Sequence, residues 1–313
     1  MPRFVVLIDR RERQARERRL GVIALVSALT IALLIIGIRL SRDRGGPVVA
    51  PTAAPVPSPP ATARPLAPTP PAGQNPATTG VVPPDGRNVV CLDAGHGGID
   101  LGNVRVEDGK IVLQEKDLTI ATAQALTERL NADGVGVVMT RTGDTEANPD
   151  NLDVNGDGTV APASGPARTS EGDDLQTRIN TCNNAGADLL LSIHYNGAEN
   201  HDLQGYEVWY NDKRPFSDRS LAFATLVHNE LGASMKAAGY VAHDKGIGID
   251  DFFVLGPAKL GKRVASRMPG ALAEGLFLSN DEDEAFLTSA AATPAIADAY
   301  EQAIVAYFAK YPG

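Results

Sequence analysis

The prolines of this 313-residue chain are concentrated in one segment, and that segment limits where a folded core can form. Thirteen of the 22 prolines lie between Gly45 and Pro84, mixed with alanine and threonine. A stretch of this composition buries too little apolar surface to form a packed core, and it extends in the manner of a polyproline helix. We therefore predict a disordered linker over residues 39–87 and a single folded domain over residues 88–313.

An uncharged apolar run precedes the linker. Leu20–Ile38 is long enough to cross a bilayer core, since a helix rises by about 1.5 Å per residue and the core is about 30 Å thick. Arginines crowd its N-terminal side and are fewer on its C-terminal side. The positive-inside rule then predicts a cytoplasmic basic tail over residues 1–19, a transmembrane anchor over residues 20–38 and an extracellular or periplasmic domain. A cleaved signal peptide is the alternative.

Charge is divided unevenly between the two parts of the chain. Of the 29 Lys and Arg residues, 11 precede Gly86, whereas only 5 of the 38 Asp and Glu residues do. The basic excess therefore belongs to the N-terminal tail, which lies beside the predicted anchor, and the folded domain is strongly acidic. An acidic domain argues against nucleic acid as a partner.

The chain has two cysteines, Cys91 and Cys182. They are not arranged as a Cys-x-x-Cys pair, so thiolate ligation of a metal is not expected. Cys91 lies in a strand pattern and Cys182 in a helix pattern. We expect two small buried apolar residues, with a disulfide as the alternative if the two elements touch.

Strand and helix patterns alternate from residue 88 onward, which predicts an α/β fold with a mostly parallel sheet. The last helix has Pro294 in its first position. The predicted strands are Val89–Ala94, Val135–Thr140, Ala187–Asn196 and Gly205–Asn211, with short strands or strand ends at Phe252–Gly256 and Gly270–Asn280. The predicted helices are Glu115–Gly134, Asp174–Gly186, Ser217–Gly239 and Pro294–Tyr311.

Four residues with suitable chemistry fall near one edge of this predicted sheet, where α/β proteins bind ligands. His96 follows the first strand, Glu115 opens the first helix, and His194 ends a strand on which it shares a face with Ser192. Two imidazoles and a carboxylate form the ligand set of a catalytic zinc, and Glu274 could then transfer protons. The alternatives are structural: hydrogen-bonded histidines, a glutamate favoured by the helix dipole, and an ion-paired glutamate.

Seven sequence blocks in one order carry a family resemblance: LDAGHGGIDLGN, EKDLTIA, MTRTGD, LQTRINTCNNAGAD, LLSIHYNG, GYEVWY and ALAEGLFLSNDEDEAFL. Together they resemble the zinc-dependent N-acetylmuramoyl-L-alanine amidases of the AmiC/CwlV type over about Val89–Phe308. The resemblance implies one α/β domain with a mixed six-stranded sheet. It also implies peptidoglycan as the substrate, cleaved between the muramoyl lactyl group and L-alanine. It assigns zinc binding to His96, Glu115 and His194, and catalysis to Glu274.

Two positions depart from the pattern of this family. Ala94 replaces the proline of an Asp-Pro-Gly-His motif, and Gly275 and Leu276 stand in reversed order within a Glu-x-Gly-Phe block. The reversal could alter the backbone beside the glutamate. The alternative functions are another zinc amidohydrolase that acts on a wall peptide and a non-catalytic, membrane-tethered wall-binding module.

An insertion at residues 145–174, which the resemblance does not explain, contains a possible calcium loop at residues 153–164. Its candidate ligands, at positions 1, 3, 5 and 7 of such a loop, are Asp153, Asn155, Asp157 and the carbonyl of Thr159. Position 12 is Ser164 instead of an acid, so the chain would have to fold back and supply Glu171, Asp173 or Asp174. The alternative is an acidic, glycine-rich surface loop.

Overall fold

A computed structural model describes residues 88–161, 171–257 and 263–313 of the chain. The predicted basic tail, anchor and linker all lie outside these residues, as does Ser164. In the described part, no helix is both long enough and apolar enough to cross a membrane.

The described residues form strands and helices that alternate for most of the chain. The strands are β1 (Val89–Ala94), β2 (Val104–Glu107), β3 (Lys110–Gln114), β4 (Gly136–Met139), β5 (Leu189–Asn196), β6 (Tyr206–Tyr210), β7 (Asp244–Ile249) and β8 (Gly270–Phe277). The helices are α1 (Glu115–Ala132), α2 (Glu171–Asn184), α3 (Ser217–Ala237), α4 (Asp281–Leu287) and α5 (Ala292–Lys310).

Six strands form one mixed sheet in the order β4-β1-β5-β8-β6-β7. Neighbouring strands run parallel except β6 and β8, which are antiparallel. Strands β2 and β3 form a separate antiparallel hairpin. The prediction of a mostly parallel six-stranded sheet is confirmed, and the parallel strands β1, β5 and β8 end at the same edge.

Both faces of the sheet are buried, and successive side chains of β1 point alternately to one face and the other. Val90, Leu92 and Ala94 belong to a core that the sheet shares with α1, α3 and α5. Val89 and Cys91 point to the other face, where they pack with residues of α2. A parallel sheet covered on both sides explains why β1 is apolar along nearly its whole length.

Cys91 and Cys182 form a disulfide with their Cα atoms 5.5 Å apart. The expectation of two separate buried residues was therefore wrong. The two residues meet because Cys91 lies on the sheet face that α2 covers and Cys182 lies on the side of α2 that faces the sheet. The bond ties α2 covalently to the centre of the sheet.

The structure also differs from the sequence predictions at several boundaries. Phe252–Gly256 is a turn and not a strand, since the amides of Leu255 and Gly256 both donate to the carbonyl of Phe252. Helix α5 begins at Ala292, which makes Pro294 its third residue. That position also tolerates proline, because the first-turn amides of a helix have no intrahelical acceptor.

Candidate active site

His96, Glu115 and His194 converge at the carboxyl edge of the sheet. His96 Nε2 and His194 Nδ1 each lie 3.0 Å from the same oxygen, Glu115 Oε1. One ligand atom from each of the three residues lies within 4.8 Å of the other two. No other group of three His, Cys, Asp or Glu residues is arranged in this way within residues 88–161, 171–257 and 263–313. Two imidazole nitrogens and a carboxylate oxygen arranged in this way could hold a metal ion. The structure thus brings the three sequence-predicted ligands together.

Glu115 is fixed by Asn103, in the loop between β1 and β2, and by the backbone of β5. It is the first residue of α1 and is 1% exposed. Its amide donates to the Asn103 carbonyl at 2.9 Å, and Asn103 returns two hydrogen bonds to Oε2, from its amide at 2.8 Å and from Nδ2 at 2.9 Å. The amide of Tyr195 donates to Oε1 at 3.0 Å. These contacts leave the carboxylate one orientation, towards the two imidazoles.

His96 is held in an unusual backbone conformation. Its φ is 61°, in the left-handed region that non-glycine residues rarely adopt. Its ring Nδ1 lies 2.8 Å from Asp100 Oδ2, and its carbonyl accepts a 2.7 Å hydrogen bond from Arg178. A carboxylate on Nδ1 orients the ring and leaves Nε2 free to bind a metal.

Two buried arginines support the end of β1. Arg178 Nη1 lies 2.9 Å from Asp93 Oδ1 and 2.7 Å from the Ala94 carbonyl, which also accepts from Arg141 Nε at 2.9 Å. Ser192, predicted to share a strand face with His194, donates to Asp93 at 2.7 Å. Burial raises the pKa of Asp93, but the charge of Arg178 acts together with the hydrogen bonds from Ser192 and Arg178 to bring that pKa below its usual value. A buried ion pair between Arg178 and Asp93 therefore supports the end of β1 next to His96.

Two positions near the site accept only glycine, because a neighbouring side chain lies too close for a Cβ atom. A Cβ on Gly95 would lie 2.3 Å from Cε1 of His194, so a side chain there would displace that ring. A Cβ on Gly275 would lie 2.6 Å from the ring of Tyr195, while Leu276 is completely buried in the core. The reversed Gly275–Leu276 order thus places each residue where its size fits.

Glu274 lies in the middle of the sheet edge, between two other polar residues. It is paired with His194 on β5 and with Glu207 on β6. Its Oε2 is buried and has no hydrogen-bond partner among the described residues. Burial, followed by the charges of Glu115 and Glu207, raises the pKa of Glu274 well above its usual value. A carboxyl group in such a place can hold a proton near neutral pH.

The pKa values of Glu115 and His96 are linked by the contact between their side chains. Burial raises the pKa of Glu115, but hydrogen bonds from His194 and His96 outweigh it and hold that pKa well below its usual range. Burial lowers the pKa of His96, yet the hydrogen bonds with Asp100 and Glu115 raise it to about 10. A metal that binds here must therefore displace a proton from His96.

The site opens into a groove of about 1250 Å³. Its walls include apolar, acidic and basic side chains, among them Ile99, Asn103, Glu146, Phe252, Phe253 and Arg263. This volume exceeds that of a usual small-molecule pocket, which is roughly 300–1,000 Å³. The candidate calcium ligands Asp153, Asn155, Asp157 and Thr159 lie between β4 and α2 and are not among the lining residues.

Sequence reasoning missed the residues that position the ligands. Asp100 and Asn103 follow His96 within the same block, and a carboxylate four residues after a candidate ligand was a usable signal. Arg141 and Arg178 lie in the MTRTGD and LQTR blocks, where nothing local indicates that both side chains turn inwards. Their role depends on packing between α1, α2 and β1, which a motif does not encode.

Comparison with known proteins gives a consistent result for this domain. Residues 90–306 match the sequence profile of the Amidase_3 family, described as N-acetylmuramoyl-L-alanine amidase. The germination-specific N-acetylmuramoyl-L-alanine amidase of Bacillus subtilis is 28% identical over 222 residues, which cover 71% of this chain and 80% of that protein.

Two solved structures share the fold. The catalytic domain of CwlV, an N-acetylmuramoyl-L-alanine amidase from Bacillus (Paenibacillus) polymyxa var. colistinus, is 26% identical with a TM-score of 0.52, covering 71% of this chain and 98% of that one. An N-acetylmuramoyl-L-alanine amidase from Clostridium difficile is 26% identical with a TM-score of 0.54, covering 73% of this chain and all of that one.

Proposed function

The chain belongs to the N-acetylmuramoyl-L-alanine amidase family, and from this we propose that it hydrolyses the amide bond between N-acetylmuramic acid and L-alanine in peptidoglycan, using a bound zinc ion. The observation that carries the proposal is the convergence of His96 Nε2 and His194 Nδ1 on Glu115 Oε1. Two neutral nitrogens and one carboxylate oxygen suit zinc and leave a coordination position open.

The residues around the three ligands fit a metal site as well. Asp100 would hold the His96 ring, and Asn103 would hold the Glu115 carboxylate, by the hydrogen bonds already present. Such outer contacts keep ligand atoms in place and tune their basicity. When bound, zinc would supply a Lewis acid that polarises the scissile carbonyl and lowers the pKa of water.

Glu274 is the proposed general base and general acid. The pKa of Glu274 would be lowered by a cation held by His96, Glu115 and His194, and the ionised carboxylate could then accept a proton from the attacking water through its buried, unpartnered Oε2. The raised pKa lets Glu274 retain that proton until the amide nitrogen of L-alanine departs and takes it. The fixed strand pairing with His194 keeps this carboxyl beside the ligands throughout the reaction.

We place the catalytic domain on the outer side of a membrane, held by the predicted anchor at residues 20–38 and the proline-rich linker. The buried Cys91–Cys182 disulfide supports an oxidising compartment, since structural disulfides are rare in cytosolic proteins. The long predicted tether suits a target that is fixed at some distance from the bilayer, such as peptidoglycan.

Digestion of purified peptidoglycan, combined with zinc analysis, tests the proposal. We expect about one zinc per chain and released peptides that begin with a free L-alanine amino group, a product of cleavage at the muramoyl amide. Released peptides that begin with any other residue would instead indicate a different wall amidohydrolase. Binding of peptidoglycan without any released peptide would indicate a wall-binding module. Either result would overturn the proposed reaction.

A further inference from the structure

The loop between β4 and α2 has the local structure of a calcium-binding turn. The amide of Gly158 donates to Asp153 Oδ2 at 3.0 Å, which joins positions 1 and 6 of the sequence pattern. The amides of Asp157 and Thr159 donate to the side chains two residues before them, each at 2.8 Å. Gly158 has a φ of 85°, as the sharp turn at position 6 requires.

A calcium loop of this kind needs a closing acid, and the fold supplies one from α2. Asp174 is engaged elsewhere, because it pairs with Arg178 at 2.7 Å and accepts from the amide of Asn148. Asp173, one residue earlier, lies against the loop: its Oδ1 accepts hydrogen bonds of 2.9 Å from the amides of Val154 and Asn155.

The second carboxylate oxygen of Asp173, Oδ2, indicates that a ligand binds here. The residue is 1% exposed, and its Oδ2 is buried without a hydrogen-bond partner among the described residues. An unpaired carboxylate oxygen in a buried position is costly unless a cation binds it. Because Oδ1 of the same carboxylate is bonded to loop amides, Oδ2 necessarily lies beside the loop as well.

We propose that residues 153–159 and Asp173 form a calcium site, with ligands from Asp153, Asn155, Asp157, the Thr159 carbonyl and Asp173 Oδ2. Three carboxylates provide the charge, and all ligand atoms are oxygens, as calcium prefers. Asp153 and Asp157 are exposed and do not yet converge on Asp173 as tightly as the three zinc ligands converge on one another. Binding of calcium therefore closes the loop onto the start of α2.

One nearby cation weakens the site. A Cβ on Gly172 would lie 3.0 Å from Asn155 Nδ2 and 3.4 Å from Arg263 Nη2, so the guanidinium lies near the loop. Arg263 is also stacked 4.4 Å from the centre of the Phe253 ring, at the wall of the groove. We therefore expect affinity in the range of extracellular calcium modules, a Kd of about 10⁻⁴–10⁻³ M.

Calorimetry on the zinc-loaded, full-length protein tests this site. Calcium chloride should bind with about one site per chain, and magnesium chloride at the same ionic strength should give much weaker heat, since magnesium requires a tighter octahedral geometry. Millimolar calcium should also raise the temperature of thermal unfolding. Absence of calcium heat, or an equal response to magnesium, would overturn the proposal.

Matched variants separate the site from general charge effects. Asp173→Asn and the exposed Asp157→Asn should each raise the calcium Kd by about tenfold or more, because each removes one ligand charge. Asp150→Asn, an exposed acid of the same segment outside the motif, should leave the Kd unchanged. Equal Kd values in all three variants would refute the assignment. Because Asp157 is exposed, Asp157→Asn tests the site even if Asp173→Asn does not fold.

Discussion

The guanidinium of Arg178 donates a 2.7 Å hydrogen bond to the backbone carbonyl of His96, so a residue of α2 holds the main chain of a proposed metal ligand. The same side chain pairs with the buried Asp93, and Cys182, one turn further along α2, is covalently joined to β1. Helix α2 therefore holds the end of β1 and the backbone of His96 in place. This relationship explains how His96 can be kept in the left-handed conformation.

Replacement of Arg178 tests this support. Arg178→Met should lower the free energy of unfolding by about 3–5 kcal/mol, because it leaves the Asp93 carboxylate buried without its partner. It should also weaken zinc binding, since His96 loses a restraint on its backbone. Urea unfolding and a zinc titration would measure both effects.

A surface arginine provides the matched control. Arg129 pairs with Glu301 at 2.7 Å but is 36% exposed, so Arg129→Met should cost less than about 1 kcal/mol and leave zinc affinity unchanged. Similar losses in the two variants would contradict the role given to Arg178.

Two substitutions at the sheet edge should separate metal binding from proton transfer. Glu274→Gln should retain zinc and lose amidase activity by about 10²–10⁴-fold, because the amide cannot shuttle a proton. His194→Ala should lose both zinc and activity, because it removes one of three ligands. Elemental analysis and a peptidoglycan digestion assay distinguish the two outcomes. An active Glu274→Gln enzyme, or stoichiometric zinc in His194→Ala, would remove the corresponding assignment.

Removal of the disulfide should destabilise the domain without affecting the chemistry directly. The bond joins residues that are 91 positions apart, so the double substitution Cys91→Ala and Cys182→Ala should lower the free energy of unfolding by about 2–5 kcal/mol. Urea unfolding with and without reductant measures the change. Reductant should have no effect on the double variant, and an unchanged unfolding midpoint in that variant would show that the bond contributes no stability.

The sequence predicted the sheet and the four chemical residues for identifiable reasons. β1 and β5 are buried on both faces and read as continuous apolar runs, and the parallel order of strands brings His96 and His194 to one edge. Hairpin β2–β3 was missed although the sequence marks it, because Val104 and Val106 alternate with polar residues and a two-residue turn, Asp108–Gly109, joins the strands with both φ angles positive. The Cys91–Cys182 bond was predicted only as the alternative, because it depends on which face of the sheet α2 covers and neither local sequence pattern contains that information.

Tyr300 makes the stability of the domain sensitive to alkaline pH. The side chain is completely buried on α5, and its hydroxyl has no partner within the described part of the chain. Burial, with smaller contributions from Tyr195 and Glu274, raises the pKa of Tyr300 well above 10. Below pH 10 the hydroxyl is protonated in both the folded and the unfolded state, and the raised pKa has no effect on stability.

Above pH 10 the unfolded state loses a proton that the folded state keeps, so stability falls by up to about 1.4 kcal/mol per pH unit until the folded pKa is reached. Tyr300→Phe should remove this component of the alkaline loss. It should be neutral or stabilising near pH 8, because an unpartnered buried hydroxyl costs about 1–3 kcal/mol. Urea midpoints of both proteins at about pH 8 and about pH 11 measure the difference. An alkaline loss of the same size in Tyr300→Phe would show that this hydroxyl is not its source.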